Sequence, residues 1–168
     1  SAIVTDVSST KSEVVAASQH LPDRLTFVGG HPLGGAPRGG FKHARGDLFR
    51  DRPWLLTPVD DETGEAVLKL RDFTVGLGAV PHVMPPEEHD RVLAFLSHLP
   101  QVTASALMHV VGSAIGAEGL RLTGRGLADT TRLASSPSDI WRDICVTNSD
   151  DVAIALDALI AELQAVRN

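Results

Sequence analysis

A proline pair at Pro85-Pro86 divides this 168-residue sequence into two parts with different hydrophobic patterns. Before the pair, short runs that favour strands alternate with helical segments. After it, apolar residues recur at three- and four-residue steps, which is the period of an amphipathic helix. Because consecutive prolines interrupt both helices and strands, we place a domain boundary here. We expect an α/β domain over residues 1–84 and an all-α helical domain over residues 85–168.

The first part has the pattern of a parallel sheet. We predict strands at residues 2–7, 25–29, 54–57 and 79–84, with helices at residues 12–20 and 63–77. No tight hairpin signal joins neighbouring strands. Strands separated by helical segments are typical of parallel crossover units.

The second part carries an apolar stripe that one small domain does not need for its own core. The stripe runs from Val92 to Val111, and a second amphipathic face follows between Val152 and Leu163. A helix with so long an apolar face has to bury it against a partner. We therefore expect a homodimer formed through the C-terminal helices.

Helix boundaries in this part are marked by proline and by capping residues. Pro100 should kink the first long helix, because it lacks an N–H group and crowds the preceding turn. Ser136-Pro137 predicts a helix start, with the serine as N-cap and the proline in the first position. Asn148 is predicted to end that helix before the next one begins.

Charge and cysteine content exclude several classes of function. The net charge is −6, and lysines and arginines form no cluster, which argues against a nucleic-acid partner. The single cysteine, Cys145, allows neither an intrachain disulfide nor a cysteine-based metal site, and no H-E-x-x-H spacing predicts zinc. No apolar run reaches the length of a membrane span. The sequence favours a cytoplasmic protein with no membrane or metal partner.

A glycine-rich segment at residues 29–41 surrounds one histidine, His31, directly after a predicted strand. Its sequence is G-G-H-P-L-G-G-A-P-R-G-G-F. Ligands of open α/β sheets bind at such strand ends, and glycines allow the backbone to approach a ligand closely. The segment does not match a phosphate-binding loop. From these residues alone, a ligand site and a flexible connection with an incidental histidine are equally acceptable.

Several motifs in the same order along the chain resemble the prephenate dehydrogenase family. They are T-D-V-S-S-T-K at residues 5–11, F-V-G-G-H-P-L at 27–33, R-P-W-L-L-T-P at 52–58, E-E-H-D at 87–90, S-H-L-P at 97–100, L-A-D-T-T-R-L-A at 127–134 and W-R-D-I at 141–144. Each match alone is weak, but their shared order is a strong signal. The resemblance implies a partial Rossmann-type sheet followed by a helical dimerisation domain.

The resemblance also implies an activity, the oxidative decarboxylation of prephenate or arogenate with NAD or NADP, leading toward tyrosine. The family's catalytic histidine falls on His31, which would accept a hydrogen bond from the substrate's ring hydroxyl as hydride leaves the same carbon. That role needs a neutral imidazole. Ser9 would lie near the hydroxyl and the nicotinamide. Arg132 would clamp a substrate carboxylate through its planar guanidinium.

Four further contacts follow from the same resemblance. Asp129, His98 and Gly35 are implied as substrate contacts, and Lys11, together with Ser9, as a cofactor contact. A buried, structurally satisfied histidine is an equally good interpretation of His98. For His20, His43 and His82, a position at the surface or behind the site is the simpler interpretation, and for Trp141 a position in the core.

Three positions depart from the family pattern. Gln101 stands where the family has a second histidine, residues 34–37 read G-G-A-P where the family has A-G-T-E, and Ser8 replaces a glycine. These changes put in doubt the outer contacts of the substrate. They leave open the choice between prephenate and arogenate.

The largest departure is that the G-x-G-x-x-G loop, which holds a dinucleotide's pyrophosphate, is absent from the sequence. The chain also opens directly on an apolar run. We expect that an upstream β-α-β unit was excised or lost by proteolysis, in preference to a naturally short homologue, and that this portion is inactive by itself. The alternative is a non-catalytic dimerising interaction or regulatory module derived from the family.

Overall fold

The computed structural model describes residues 2–35, 40–59 and 64–168, which form two compact units, Ser1–Asp90 and Arg91–Asn168. Residues 36–39 of the glycine-rich segment and the predicted helix start at residue 63 lie outside the described residues.

The first unit is built on a sheet of mixed strand direction. Its elements are β1 (Ala2–Val4), α1 (Ser12–Ser18), β2 (Leu25–Pro32), a 3-10 helix (Phe41–His43), β3 (Pro53–Pro58), α2 (Glu65–Gly76), β4 (Val80–Val83) and the start of α3 (Pro86–Leu93). In the described residues the strand order is β1-β2-β3-β4. The predicted strands and helices are all present, with ends shifted by a few residues.

The strand directions differ in one place from the parallel sheet that we predicted. β1 pairs with β2 in parallel, and β3 pairs with β4 in parallel, each pair joined through a helix. β2 and β3, however, are antiparallel, with His31 opposite Leu55. The described residues between them contain only one 3-10 turn, and a connection without a crossover helix lets the chain return along the neighbouring edge in the opposite direction.

The core of this unit lies between the sheet and α2. Its buried side chains come from β2, β3, α2 and the residue before β4: Val28, Trp54, Leu56, Val67, Leu70 and Ala79. Burying a side chain of valine or leucine size stabilises a fold by roughly 1.5–3 kcal/mol. This core fixes β2 and β3, and with them the end of β2 that carries His31.

The second unit is helical throughout its described residues. It contains the end of α3, a π-helical turn (Ala94–His98), α4 (Leu99–Leu120), α5 (Arg125–Thr130), a 3-10 helix (Arg132–Ser135), α6 (Ser138–Thr147) and α7 (Ser149–Arg167). Ala94, Val152 and Ala155 form its buried centre, and Leu99 and Leu156 pack against them. The fold class predicted from the sequence, an α/β sheet followed by an all-helical part, is confirmed.

Helix boundaries in this unit show where local signals were accurate. The long helix is interrupted near Pro100, but the irregular turn is Ala94–His98, and Pro100 lies in the first turn of α4, where its missing N–H costs no helical hydrogen bond. α6 begins one residue later than predicted, with Pro137 as its N-cap residue. Asn148 ends α6 and precedes α7, as predicted.

Among the described residues, none of the helices combines the length and the apolar character that crossing a bilayer requires.

Candidate functional site

His31 lies near the end of β2, partly buried, with its ring against that of His89. Its Nδ1 is 2.9 Å from His89 Nε2. The ring centroids are 5.1 Å apart, and the ring planes meet at 53°. The backbone of His31 is paired with Leu55 of β3, whereas the pairing of β1 with β2 extends only from Leu25 to Phe27.

A carboxylate continues this chain of polar groups. His89, which is fully buried in α3, places its Nδ1 2.9 Å from Asp90 Oδ1. Asp90 is 2% exposed. The three side chains thus form a connected series from a buried carboxylate, through a buried imidazole, to a partly buried imidazole at a strand end.

Asp90 also caps α1. The backbone N–H of Lys11 donates to Asp90 Oδ1 at 2.8 Å, and that of Ser12 donates to Asp90 Oδ2 at 2.8 Å. Burial alone would raise the pKa of Asp90, but hydrogen bonds from His89, Ser12 and Lys11 outweigh burial and lower the pKa to about 2. Asp90 is therefore a carboxylate at neutral pH, and it only accepts hydrogen bonds.

A second buried cluster holds the residue next to His31. The Lys11 ammonium contacts the Asp6 carboxylate and donates to Ser8 Oγ at 2.9 Å and to the Gly30 carbonyl at 2.9 Å. The Gly30 N–H in turn donates to Asp6 Oδ1 at 2.9 Å. Asp6 and Lys11 therefore form hydrogen bonds with both backbone polar groups of Gly30, its N–H and its carbonyl.

Burial and hydrogen-bond partners shift the pKa values of Lys11 and Asp6. Burial lowers the pKa of Lys11, although Asp6 and Asp90 oppose that change. For Asp6, burial alone would raise the pKa, but hydrogen bonds from Lys11, Ser8 and Gly30 prevail and lower it. In this ion pair the Lys11 side chain is fully buried, and 20% of the Asp6 side chain is exposed.

Two glycines of the glycine-rich segment are needed for close packing within the strand. A Cβ atom on Gly29 would lie 2.2 Å from Thr57 Oγ1, and one on Gly30 would lie 2.6 Å from the Asp6 carbonyl oxygen. Neither position has room for a side chain. The expected close backbone approach therefore occurs here between β2 and its protein neighbours.

The predicted residues of the first unit lie in different surroundings. Ser9 is partly buried in a bend next to the Asp6–Lys11 cluster. Gly35 is exposed, with open space where a Cβ would be. The Lys11 side chain is fully buried, and its ammonium is directed at Asp6, Ser8 and Gly30. Lys11 is thus a structural residue of this site and presents no charge at the surface.

The predicted residues of the helical unit also divide into two groups. His98 is 1% exposed; its Nδ1 lies 3.2 Å from Asn148 Nδ2, and its ring meets the edge of Trp141 at a centroid distance of 6.1 Å. These contacts support the structural interpretation of His98. Arg132 and Asp129 are exposed, and neither side chain forms an ion pair or a hydrogen bond within the described part of the chain.

His89 and Asp90 are the site residues that the sequence did not single out. They were part of a matched motif, but no role was assigned to them. The available signal was a His-Asp pair shortly after a strand, in the first turns of a helix. Within the described residues, no group of three histidine, cysteine or acidic side chains is arranged to hold a metal ion.

In its described residues the chain combines an α/β unit, which carries this site, with a helical unit that follows it. The family description "Prephenate dehydrogenase, nucleotide-binding domain" matches residues 1–83, and "Prephenate dehydrogenase, dimerization domain" matches residues 85–168. The chain therefore belongs to the prephenate dehydrogenase family.

Individual relatives agree with this membership. Prephenate dehydrogenase of Bacillus subtilis is 38% identical over 168 residues, a match that covers 98% of this chain and 45% of the relative. The crystal structure of A. aeolicus prephenate dehydrogenase in complex with hydroxyphenyl propionate and NAD+ has a TM-score of 0.87 at 32% identity, covering 98% of this chain and 58% of that one. Synechocystis arogenate dehydrogenase has a TM-score of 0.83 at 28% identity, with 97% and 59% covered. The chain spans about half the length of these relatives.

Proposed function

We propose that this chain serves the oxidative decarboxylation of prephenate or arogenate, with His31 as the catalytic residue that accepts a hydrogen bond from the ring hydroxyl. The observation that carries the proposal is the contact of 2.9 Å between His31 Nδ1 and His89 Nε2. It holds a partly buried imidazole at the end of a strand, where ligands of α/β sheets bind. The membership of the chain in the prephenate dehydrogenase family supplies the reaction.

In this mechanism His31 polarises the substrate. As hydride leaves the hydroxyl-bearing carbon, the C–O bond gains carbonyl character and the hydroxyl proton moves toward the imidazole. Loss of carbon dioxide and aromatisation of the ring complete the reaction. A bound nicotinamide supplies the acceptor for the hydride. Since aromatisation provides the driving force, the chain's own residues chiefly position and polarise the substrate.

The residues present fit only one end of a dinucleotide. The Ser9 hydroxyl makes no hydrogen bond within the described residues and stands beside a turn that the Asp6–Lys11 pair keeps rigid, so it suits a contact to the nicotinamide. The Lys11 ammonium is already used inside the protein. We therefore propose that Lys11 supports cofactor binding by holding the turn, without touching a phosphate. The sequence contains no G-x-G-x-x-G for the pyrophosphate.

Substrate recognition is assigned to the exposed residues. We propose that Arg132 binds a substrate carboxylate through its guanidinium. Asp129, and Gly35 of the α/β unit, are also proposed as substrate contacts. The burial of His98 favours a supporting role for it within the helical unit.

We also propose that the helical part, residues 85–168, forms a homodimer. The family description that matches this part is a dimerization domain. Large apolar side chains are exposed along its helices, among them Leu96 at 72% and Val166 at 77%. A second copy of the chain would bury such side chains and remove them from water.

Two measurements test the proposed activity. First, the 168-residue chain is titrated by calorimetry or NMR with 3-(4-hydroxyphenyl)propionate, chosen because the A. aeolicus complex contains a hydroxyphenyl propionate. Second, reduction of NAD+ or NADP+ is followed with prephenate and with arogenate, for this chain and for the polypeptide encoded together with whatever coding sequence precedes Ser1. We expect ligand binding by the chain alone, and turnover only when a G-x-G-x-x-G unit is present.

His31→Asn separates catalysis from binding in the same assay. We expect it to lower kcat by roughly 100-fold or more while KM changes little, because an acceptor for the hydroxyl proton is lost. An unchanged kcat would remove His31 from the mechanism. Dimerisation without ligand binding or turnover in any form would favour the alternative, a non-catalytic dimerising module.

A further inference from the structure

We propose that His89 and Asp90 are positioning residues that fix the tautomer of His31, so that its Nδ1 carries the proton and its Nε2 is the hydrogen-bond acceptor. This assignment rests on the proposed function, because a substrate hydroxyl needs an acceptor on His31. It also explains why His31 can accept a hydrogen bond from the substrate hydroxyl. In a neutral imidazole, one ring nitrogen carries a proton and donates a hydrogen bond, and the other has a lone pair and accepts one.

The direction of the hydrogen bonds starts at Asp90. Its carboxylate receives the N–H groups of Lys11 and Ser12 and cannot donate. The contact of 2.9 Å between Asp90 Oδ1 and His89 Nδ1 is therefore a hydrogen bond only if His89 Nδ1 carries a proton. A carboxylate that orients a histidine in this way fixes both its tautomer and its ring plane.

The same reasoning passes to the next ring. In a neutral His89 with a proton on Nδ1, Nε2 has a lone pair and must accept. The contact of 2.9 Å to His31 Nδ1 then requires a proton on that atom of His31. A neutral His31 with its proton on Nδ1 presents a lone pair at Nε2. With His89 neutral, each step leaves one arrangement, so Asp90 sets the protonation of His31 through His89.

Hydrogen bonds also hold the backbone of Gly30, the residue directly before His31. Asp6 accepts from the Gly30 N–H, and the Lys11 ammonium donates to the Gly30 carbonyl. Lys11 also donates its own backbone N–H to Asp90. One residue therefore links the cluster that holds the backbone before His31 to the carboxylate that orients its ring, and the direction of the Nε2 lone pair is defined by both.

A competing arrangement gives the opposite result and makes the inference testable. If His89 were an imidazolium, both of its nitrogens would donate, His31 Nδ1 would accept, and the proton of a neutral His31 would lie on Nε2. That form of His31 would offer a donor to the substrate. The two arrangements differ at His89 Nε2 and at both ring nitrogens of His31, while His89 Nδ1 carries a proton in each.

Nitrogen-15 NMR of histidine-labelled protein distinguishes them without any activity measurement. In the 168-residue chain at pH 7.5, we expect a protonated Nδ1 and an unprotonated Nε2 in both His31 and His89, assigned through loss of signals in His31→Asn and His89→Gln. Protons on both nitrogens of His89, or a proton on His31 Nε2, would overturn the inference. The protonation states are read from the wild-type chain, and the two variants serve only to assign its signals; if one of them fails to fold, the other still identifies one histidine of the pair.

A pair of variants tests the consequence for catalysis. In His89→Gln, the amide oxygen can replace Nε2 as acceptor and should retain the His31 tautomer. His89→Phe fills the space without an acceptor, and we expect a mixed tautomer and a kcat lowered roughly 10- to 100-fold with little change in KM. Equal kcat values and tautomer populations in the two variants would contradict a positioning role. Loss of turnover in every form, with the NMR result intact, would count against the proposed function instead.

Discussion

The Lys11 ammonium is paired with the Asp6 carboxylate inside the α/β unit, and the Lys11 side chain is fully shielded from solvent. The pair is completed by hydrogen bonds from the ammonium to Ser8 and to the Gly30 carbonyl. A buried charge is tolerated only when its partners satisfy it, so the two residues depend on each other. The pair is also what anchors the backbone beside His31.

Lys11→Met should therefore destabilise the fold strongly. Methionine fills similar space but leaves the Asp6 carboxylate without its cation, and breaking a buried pair in this way costs about 3–5 kcal/mol. Urea unfolding followed by circular dichroism measures the change. The matched control is Lys69→Met, which removes an exposed lysine from an i,i+4 pair with Glu65 and should cost less than about 1 kcal/mol. Similar losses in the two variants would contradict the buried-pair interpretation.

Asp90 should make stability depend on acid pH. Its pKa is lowered from 3.8 to about 2 in the folded protein, so the unfolded chain takes up the proton first as the pH falls. The contribution, on the order of 2 kcal/mol, is complete above about pH 5 and is lost as the pH falls through 4 toward 2. Urea midpoints measured at pH 6, 5, 4 and 3 should follow that course.

Asp90→Asn tests the source of that dependence. The variant should lower stability at pH 6 and flatten the decline between pH 5 and pH 3, because the depressed carboxyl group is gone. Asp157→Asn, on the exposed side of α7, controls for the loss of one negative charge. If the acid decline has the same slope in Asp90→Asn as in the wild type, another group is responsible.

The order of helices and strands was predictable because the spacing of apolar residues and the positions of prolines act within short stretches of sequence. The direction of β3 relative to β2 was not, because it depends on how the connection between them crosses the sheet. The 3-10 turn Phe41–His43 is too short to be recognised from its sequence. The antiparallel pair that results places His31 opposite Leu55.

The site shows the same division between local and non-local information. His31 was identifiable from its glycine-rich surroundings and from family motifs, but its partner His89 is 58 residues away along the chain. The burial of Lys11 was equally hidden, since a lysine after a serine-rich turn looks like a surface cation. Only the pairing of β1 with β2 brings Gly30 to the Asp6–Lys11 pair and so reveals its structural role.

Gly30→Ala should show that the glycine before His31 is required for packing. The added Cβ would lie 2.6 Å from the Asp6 carbonyl oxygen and 2.8 Å from Thr5 Oγ1, and a backbone atom cannot move aside cheaply. We expect a loss of about 1–3 kcal/mol, as for other overpacked sites. Thermal unfolding measures it.

The control for that substitution is Gly112→Ala in α4. No atom lies within 4 Å of the added Cβ there, and alanine is the better helix former by roughly 0.5–1 kcal/mol. Gly112→Ala should therefore raise the melting temperature, while Gly30→Ala lowers it. Two shifts of the same sign would mean that the crowding at Gly30 is relieved by movement of the Asp6 turn.

Arg132→Lys tests the proposed recognition of a substrate carboxylate. Arg132 is exposed at the start of a 3-10 helix, and within the described residues its guanidinium has no acidic partner, so it can meet a carboxylate without first breaking an ion pair. Lysine keeps the charge but cannot make two parallel hydrogen bonds. We expect affinity for 3-(4-hydroxyphenyl)propionate, or for prephenate, to fall roughly 10-fold or more, since a charge-assisted hydrogen bond contributes about 1.5–3 kcal/mol.

Arg142→Lys is the matched control for the same change of side chain. Arg142 is an exposed arginine of α6 that already pairs with Asp139, so its replacement should leave affinity unchanged. Calorimetric titration of both variants, each checked for native unfolding behaviour, separates lost recognition from lost charge. Affinity within about twofold of the wild type in Arg132→Lys would be incompatible with bidentate recognition, which is worth at least one charge-assisted hydrogen bond. The carboxylate would then have to be bound by a different cation of the protein.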